Sequence, residues 1–220
     1  MRLRANGHAG RTLGRALSLL PAGSSDAEAA RGAEWLLDNT WLLAEAREQV
    51  REALTPGFLR TLARHPLERG GRLRAERAAR DLLAAGDGHV DPDRAANFLA
   101  PSPARAPLTT GELWALPALL RLVLLEEAAG AAAALAAGEA LGEPGRVGVH
   151  VESLRVLARL DWSAFFERVS SVHRALAEDP SGDYPRMDFA TRDAYRQRVE
   201  RLARRAGLGE EAVAAGAVAG

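Results

Sequence analysis

Between Thr109 and Glu127 the chain reads TTGELWALPALLRLVLLEE, and no other stretch is apolar on so many sides. Thr109 and Glu112 stand at the S/T-x-x-E spacing of a capping box, in which hydroxyl and carboxylate each satisfy a backbone donor that a helix start leaves unpaired. A helix is therefore predicted from there. Leu113, Leu116, Leu120, Val123 and Leu124 line one face, and Leu119, Leu122 and Leu125 fill much of the other, so only Arg121, Glu126 and Glu127 interrupt the apolar surface. Such a helix needs neighbours on most sides, and the expected fold is all-α, a multi-helix bundle around it with almost no sheet. Pro117, inside the pattern, lacks an N–H and crowds the carbonyl four residues earlier, which predicts a kink or a restart. A membrane span needs about 20 nearly uncharged residues. Arg121 and Glu126-Glu127 break the run, which favours a buried helix.

The remaining segments fit a bundle. Asp26 can cap a long helix reaching about Leu54, with Trp35, Leu36, Leu42, Leu43, Ala46, Val50 and Ala53 as its seam. Asn39 falls four residues from both Trp35 and Leu43, so its amide sits on that seam and must find partners, fixing register or meeting a ligand. Thr55-Pro56 reads as N-cap and first residue of a short helix to about His65. Further helices are expected over Arg72–Ala85 and from Asp91 to about Ala100, before the proline-rich linker PSPARAP at 101–107. Beyond Glu127 an Ala/Gly-rich stretch either extends the central helix or crosses between subdomains. Val151, Leu154, Leu157 and Ala158 mark a helix ended by Asp161, which caps the next, Trp162–Glu178, with Phe165, Val169, Val172 and Leu176 as its buried stripe. Asp188 caps a last helix to Ala206, with Tyr195, Val199, Leu202 and Ala206 inward, Asp188–Arg192 and Glu200–Arg204 paired, and Gly207 as the stop. Residues 1–25 are expected to be a flexible cytoplasmic start. The rest forms a single helical domain over 26–220, or two subdomains, 26–127 and 149–220, joined by 128–148.

Composition removes whole classes of function. The 29 basic and 29 acidic residues cancel, so nothing in the balance calls for nucleic acid or an anionic membrane. With no cysteine there are no disulfides, cysteine-ligated metals or thiol nucleophiles. Neither lysine nor isoleucine occurs, and alanine, glycine and leucine abound, the mark of a bacterium with a GC-rich genome. Arginine is then the default cation rather than one chosen for its fork.

Candidate chemistry is sparse. Asp91-Pro92-Asp93 matches the D-x-D with which nucleotide-sugar glycosyltransferases hold a divalent cation, since two hard carboxylates suit an oxygen-loving metal. Asp at N-cap, Pro at N1 and an acid in the first turn explain the same residues structurally. His8, His65, His89, His150 and His173 show no metal-ligand spacing, and no nucleophile elbow, Walker A or dinucleotide fingerprint occurs. No cofactor is implied. The acid pairs Glu126-Glu127 and Glu210-Glu211 read as solvated. Trp35, Trp41, Trp114 and Trp162 can offer faces to a sugar, although packing is the expected use of all four. The densest polar constellation is Asp183, Tyr184, Arg186, Asp188, Arg192 and Asp193, either a loop tied to a helix start or a ligand site. Trp35, Asn39, Trp114, Tyr184, Arg186, Asp188 and Arg192 are thus the candidate ligand or partner contacts, with Asp91 and Asp93 the weak metal candidates.

Three stretches, EWLLDN at 34–39, PLTTGELWALPALLRLVLLE at 107–126 and SVHRALAEDPSGDYPRMDFATRDAYRQRVERLARRAGLGEE at 171–211, resemble the N-terminal cytoplasmic region of bacterial cyclic β-1,2-glucan synthases. Those are inner-membrane enzymes that build and cyclise a glucan from UDP-glucose. The resemblance implies that the glycosyltransferase and phosphorylase-like domains lie downstream of such a region, beyond membrane spans, so no catalytic residue is carried over. It implies a cytoplasmic, non-catalytic accessory domain at the inner face of the inner membrane, in touch with the membrane only indirectly. Its partner would be the synthase's glycosyltransferase domain or β-1,2-glucan, not nucleic acid. Two other readings stand beside it: a helical protein-interaction module unconnected with glucans, and a glycosyltransferase active in its own right through Asp91 and Asp93.

Overall fold

The computed structural model describes residues 14–18, 27–66, 71–100, 106–138 and 145–219. After a helical turn at 14–17 come α1 (Ala27–Asp38), α2 (Thr40–Ala53), α3 (Pro56–Thr61), α4 (Arg74–Ala85), α5 (Pro92–Leu99), α6 (Thr110–Ala136), α7 (Arg146–Arg159), α8 (Trp162–Val169), α9 (Ser171–Ala177), α10 (Asp183–Arg186), α11 (Phe189–Ala206) and α12 (Glu210–Ala219). The fold is all-α. Among the described residues, the one β feature is an isolated bridge between Arg64 and Leu73. The expected cap at Asp26, most of the expected N-terminal segment, linker residues 101–105 and positions 139–144 of the Ala/Gly-rich stretch lie outside the described residues.

Two compact units divide the chain, and each draws on two segments. One takes the chain up to Asp91 together with Ala115–Leu160; the other takes Pro92–Trp114 and Asp161–Gly220. Helix α6 therefore gives its first turn to the second unit and the remainder to the first.

The capping box forms as the spacing predicts: Thr109 N–H donates to Glu112 Oε2 at 2.9 Å, and Glu112 N–H donates to Thr109 Oγ1 at 3.3 Å. From there α6 runs unbroken through Pro117, without the restart that residue permits, and extends through the alanine-rich sequence to Ala136. In the first unit Leu116, Leu119, Leu120, Val123, Leu124 and Leu125 are all buried on it. Arg121, which interrupts the apolar pattern in sequence, is buried as well. Its guanidinium donates to the carbonyls of Pro117 at 3.0 Å and Leu157 at 2.8 Å, the latter one of the orphan acceptors in the last turn of α7. Helices α1 and α2 pack on α7, and Ser153 ties α7 to the turn after α4 by accepting from Val90 N–H and donating to Gly88 O.

Two helices expected as continuous are broken, each by a small polar side chain that bonds backbone locally. At Asn39 the backbone leaves the helical region (φ −114°, ψ 20°), and Nδ2 takes the Trp35 carbonyl at 2.8 Å, dividing α1 from α2. At Ser170 (ψ 117°) the hydroxyl accepts from His173 N–H, ending α8 and capping α9. The predicted stripe of Phe165, Val169, Val172 and Leu176 stays buried despite that break.

In the second unit α12 lies against α9 and α11, with Val172, Leu176, Tyr184, Val199 and Ala214 as the core. The caps at Asp161 and Asp188 and the left-handed stop at Gly207 (φ 67°) form as expected. The inward face of α11 forms only in part. Val199 is buried as expected, but Tyr195 and Leu202 are about half exposed and Ala206 is exposed, and Arg196 and Ala203 point inward in their place, because the buried stripe is centred on an arginine. Trp41 also departs from expectation, being 63% exposed rather than packed.

Thr109 holds the start of the most buried helix, so Thr109→Ala is expected to cost about 1 kcal/mol. Thermal unfolding followed by circular dichroism should show the midpoint falling by roughly 2–4 °C; an unchanged midpoint would mean that packing alone fixes this helix start.

Candidate functional site

The densest polar constellation of the sequence is built in the second unit around a cation that sequence reading passes over. Arg196 has no solvent exposure at all. Its Nη1 donates to Glu167 Oε1 at 3.1 Å and to the Tyr184 hydroxyl at 3.3 Å, and Nη2 reaches Asp193 Oδ1 at 3.4 Å. Its Cζ lies 4.9 Å from the ring centroids of both Phe166 and Phe189. A desolvated guanidinium against two aromatic faces gains about 2 kcal/mol or more from each ring's quadrupole at best. That gain helps offset burying a charge whose Nε finds no hydrogen-bond partner among the described residues.

Glu167 binds a second arginine in the same place. Arg192 donates to it through Nε at 2.8 Å and Nη2 at 2.9 Å, a bidentate pair, while Nη1 donates to Met187 O at 2.6 Å and Pro185 O at 3.3 Å. The i,i+4 partnership with Asp188 expected for Arg192 gives way to this stronger one. Asp188 is spent on Thr191 N–H, the bond that holds its carboxyl below the ordinary range. Upstream, Asp179 accepts from the backbone N–H groups of Ser181, Asp183 and Tyr184, fixing the turn that delivers Tyr184 inward.

The protonation states follow from these contacts. Burial alone would raise the Glu167 pKa, but the hydrogen bonds from Arg192 and Arg196 outweigh it and hold the group below the ordinary value, so it is a weak base. Burial lowers the pKa of His173, with Arg196 and Arg192 adding to the effect and Glu167 opposing it. His173 is therefore neutral at pH 7. The Tyr184 oxygen accepts from Arg196, which leaves its O–H to donate to His173 Nδ1 at 3.2 Å. Burial also lifts the tyrosine pKa.

Trp114 closes the constellation. Its indole Nε1–H donates to Asp193 Oδ1 at 3.3 Å, and its ring packs 5.1 Å from Phe166 and edge-on to Phe189 at 6.2 Å, yet 38% of the residue stays exposed. Of the candidate contacts, Trp114, Tyr184, Asp188 and Arg192 thus belong to one region. Arg186 takes no part in the buried network; it is an exposed side chain 3.6 Å from the equally exposed Asp183, a pair worth little. Trp35 and Asn39 belong to the first unit, where Arg155 stacks 5.6 Å above the Trp35 ring and donates to Asn39 Oδ1 at 2.7 Å. Gly148 gives that ring room, since a Cβ there would come within 3.3 Å of it. Asp93 pairs with Arg168. Among the described residues no three His, Asp or Glu side chains group so as to hold a metal ion.

Sequence reading missed Arg196, Glu167 and two other partly buried acids. Glu126, expected to be solvated, pairs with Arg80. Glu210, read the same way, accepts from both Thr110 N–H and Thr110 Oγ1 at 2.8 Å, and its pKa is raised chiefly by burial against those two bonds. Glu210 borders an apolar cavity of about 540 Å³ beside Pro107, Leu108 and Ala212. In the first unit a smaller cavity of about 190 Å³ is lined by Arg80, Glu127, Arg146 and the buried His150. The one signal that can find Arg196 is its spacing of three and seven from Val199 and Ala203, which continues an apolar stripe.

No family model matches the chain. Over 63 residues, 29% of its length, the chain is 41% identical to the cyclic beta-(1,2)-glucan synthase NdvB of Rhizobium meliloti (strain 1021), and the match spans 2% of that protein. Among the described residues no helix is long and apolar enough to cross a membrane.

Removing the carboxylate between the two arginines leaves a buried charge short of its partner, so Glu167→Ala is expected to destabilise the second unit by about 3–5 kcal/mol. Urea unfolding would show it, and a loss under about 1 kcal/mol would reduce the network to surface decoration. Stability should also fall with acid. His173 has a depressed folded pKa, so its contribution is complete above the ordinary value of 6.5 and is lost as pH drops below that. The contribution of Glu167 persists above its ordinary value of 4.5 and is lost at lower pH. His173→Asn should flatten the part of the stability-against-pH curve below pH 6.5 that His150, depressed in the same direction by burial, does not supply.

Proposed function

We propose that this chain is a non-catalytic helical accessory domain of β-1,2-glucan synthesis, which works at the inner face of the bacterial inner membrane by docking on the glycosyltransferase domain of a synthase. The observation that carries the reading is the 63-residue match to a protein named for making this glucan. The use of the polar groups agrees with it. Glu167, Asp179, Arg192 and Arg196 each tie one element of the second unit to another, Asp188 caps its own helix, and the central carboxylate is held ionised by two guanidinium groups. That arrangement suits a rigid support better than proton transfer, which wants a group poised near the working pH.

A docking contact needs apolar surface left open. Leu37 and Trp41, four residues apart across the break at Asn39, are 44% and 63% exposed, and the first lies in the EWLLDN stretch that carries part of the resemblance. Exposed tryptophan is the residue type most enriched among interface hot spots. The same pair would serve a protein-interaction module unconnected with glucans, so the identity of the partner decides between the two readings.

Binding of the chain to the purified glycosyltransferase domain of a cyclic β-1,2-glucan synthase, followed by calorimetry, tests the proposal. Saturable binding that Trp41→Glu weakens about tenfold or more, with the melting midpoint kept, is the expected result. No binding at roughly 100 μM of each component, weaker than the affinity of ordinary specific pairs, would overturn it. A midpoint raised by UDP-glucose with magnesium would instead favour a glycosyltransferase active in its own right.

A further inference from the structure

Part of Trp114 stays open to solvent although the residue is firmly held. The indole is fixed on three counts, by the Asp193 carboxylate on its N–H and by Phe166 and Phe189 against its ring, so it cannot fold away without breaking all three. Yet 38% of it faces solvent at the start of a helix whose next eleven residues are all buried or half-buried. A tryptophan held rigid with part of its surface uncovered has lost its conformational entropy in advance, which is the condition for binding through that surface.

The surroundings select the ligand. Asp193 extends the ring edge into a polar row: Oδ1 accepts from Trp114 Nε1 and from Arg196, and Oδ2 accepts from Gln197 Nε2 at 2.7 Å. The exposed Gln197 amide keeps its carbonyl oxygen and a second N–H beside that row. An apolar helix from a protein partner would want further exposed apolar side chains around the indole, and the immediate neighbours are a carboxylate and an amide instead. A pyranose wants what is there. Its axial C–H bonds carry slight positive charge toward the negative face of an aromatic ring, and its equatorial hydroxyls need donors and acceptors at the ring's edge.

We infer that Trp114, Asp193 and Gln197 form a platform that stacks one glucose ring of a β-1,2-linked glucan. Trp114 supplies the face, and Asp193 and the Gln197 amide meet the hydroxyls. Arg196 acts beneath them as a positioning residue, since it holds Asp193 and both phenylalanines. The choice of glucan rests on the reading above, whereas the pyranose platform rests on this geometry. Docking on a glycosyltransferase through Leu37 and Trp41 can fail while the platform binds sugar, and the reverse.

The test follows the indole N–H resonances of the intact 15N-labelled chain, with the Trp114 signal assigned from its absence in Trp114→Phe. Linear β-1,2-gluco-oligosaccharides of five or more residues are titrated to 20 mM, a concentration set by the millimolar affinity of about −4 kcal/mol expected for a single stacked ring with a few hydrogen bonds. The expected result is a saturable shift of the Trp114 resonance, with those of Trp35, Trp41 and Trp162 unmoved. Gln197→Ala, with its melting midpoint checked against the parent chain, should weaken the binding several-fold, and Trp114→Phe should abolish the edge contact and weaken it further. An unmoved Trp114 signal at 20 mM, or a shift that Gln197→Ala leaves unchanged, overturns the platform. A Trp114 signal moved by the glycosyltransferase domain and not by oligosaccharide overturns it as well, by making this face a protein contact.

Discussion

A buried positive charge that must be compensated sets the terms for the second unit. Taking a guanidinium out of water costs several kcal/mol even after relaxation. Arg196 meets that cost with an ion pair, a phenol, a second carboxylate and two aromatic faces, drawn from α8, α10, α11 and the helix boundary at Asp188-Phe189. Each of those groups is fixed in turn by something else. Glu167 is gripped by Arg192, Tyr184 by the Asp179 turn and His173, and Asp193 by Trp114 and Gln197. A cluster of short helices with a modest apolar core thereby acquires one specific arrangement, because any other leaves a charge bare.

In the first unit the same problem is solved more simply. Arg121 is buried on a helix that is otherwise apolar, and its guanidinium goes to backbone carbonyls, one of them at the C-terminal end of α7. Burial lowers its pKa, yet arginine stays protonated in proteins, so the charge remains and sits where the helix dipole is negative. Here the cation serves packing of two helices rather than a network. The two units thus use arginine differently, which shows how little the raw arginine content of such a chain conveys.

Helix type and most helix ends were legible in the sequence, since they depend on local chemistry: Thr109 with Glu112, Thr55 before Pro56, Asp161, Asp188 and Gly207 all act within one turn. The helix breaks at Asn39 and Ser170 were less so. Both residues sit on apolar seams whose period continues through them, and the side-chain bond that divides the helix leaves the pattern of buried residues intact. The candidate region at 183–193 was visible as a concentration of polar residues, but its organiser was not. The spacing of Arg196 continues an apolar stripe, but its role as organiser depends on Glu167, brought beside it from twenty-nine positions earlier. Long-range pairing of that kind carries no local signature, and the same holds for Glu210 with Thr110, one hundred positions apart.

The uncovered indole of Trp114 belongs to this same logic of compensation. A tryptophan at that position can be buried only if its N–H finds an acceptor, and the acceptor available is Asp193, already committed to Arg196 and partly solvated at 13% exposure. The bond to Asp193, itself held on Arg196, ties the indole to the buried charge while part of the residue is left outside. A surface made in this way is rigid from the outset, and rigidity is what a single aromatic ring needs to bind anything by stacking alone.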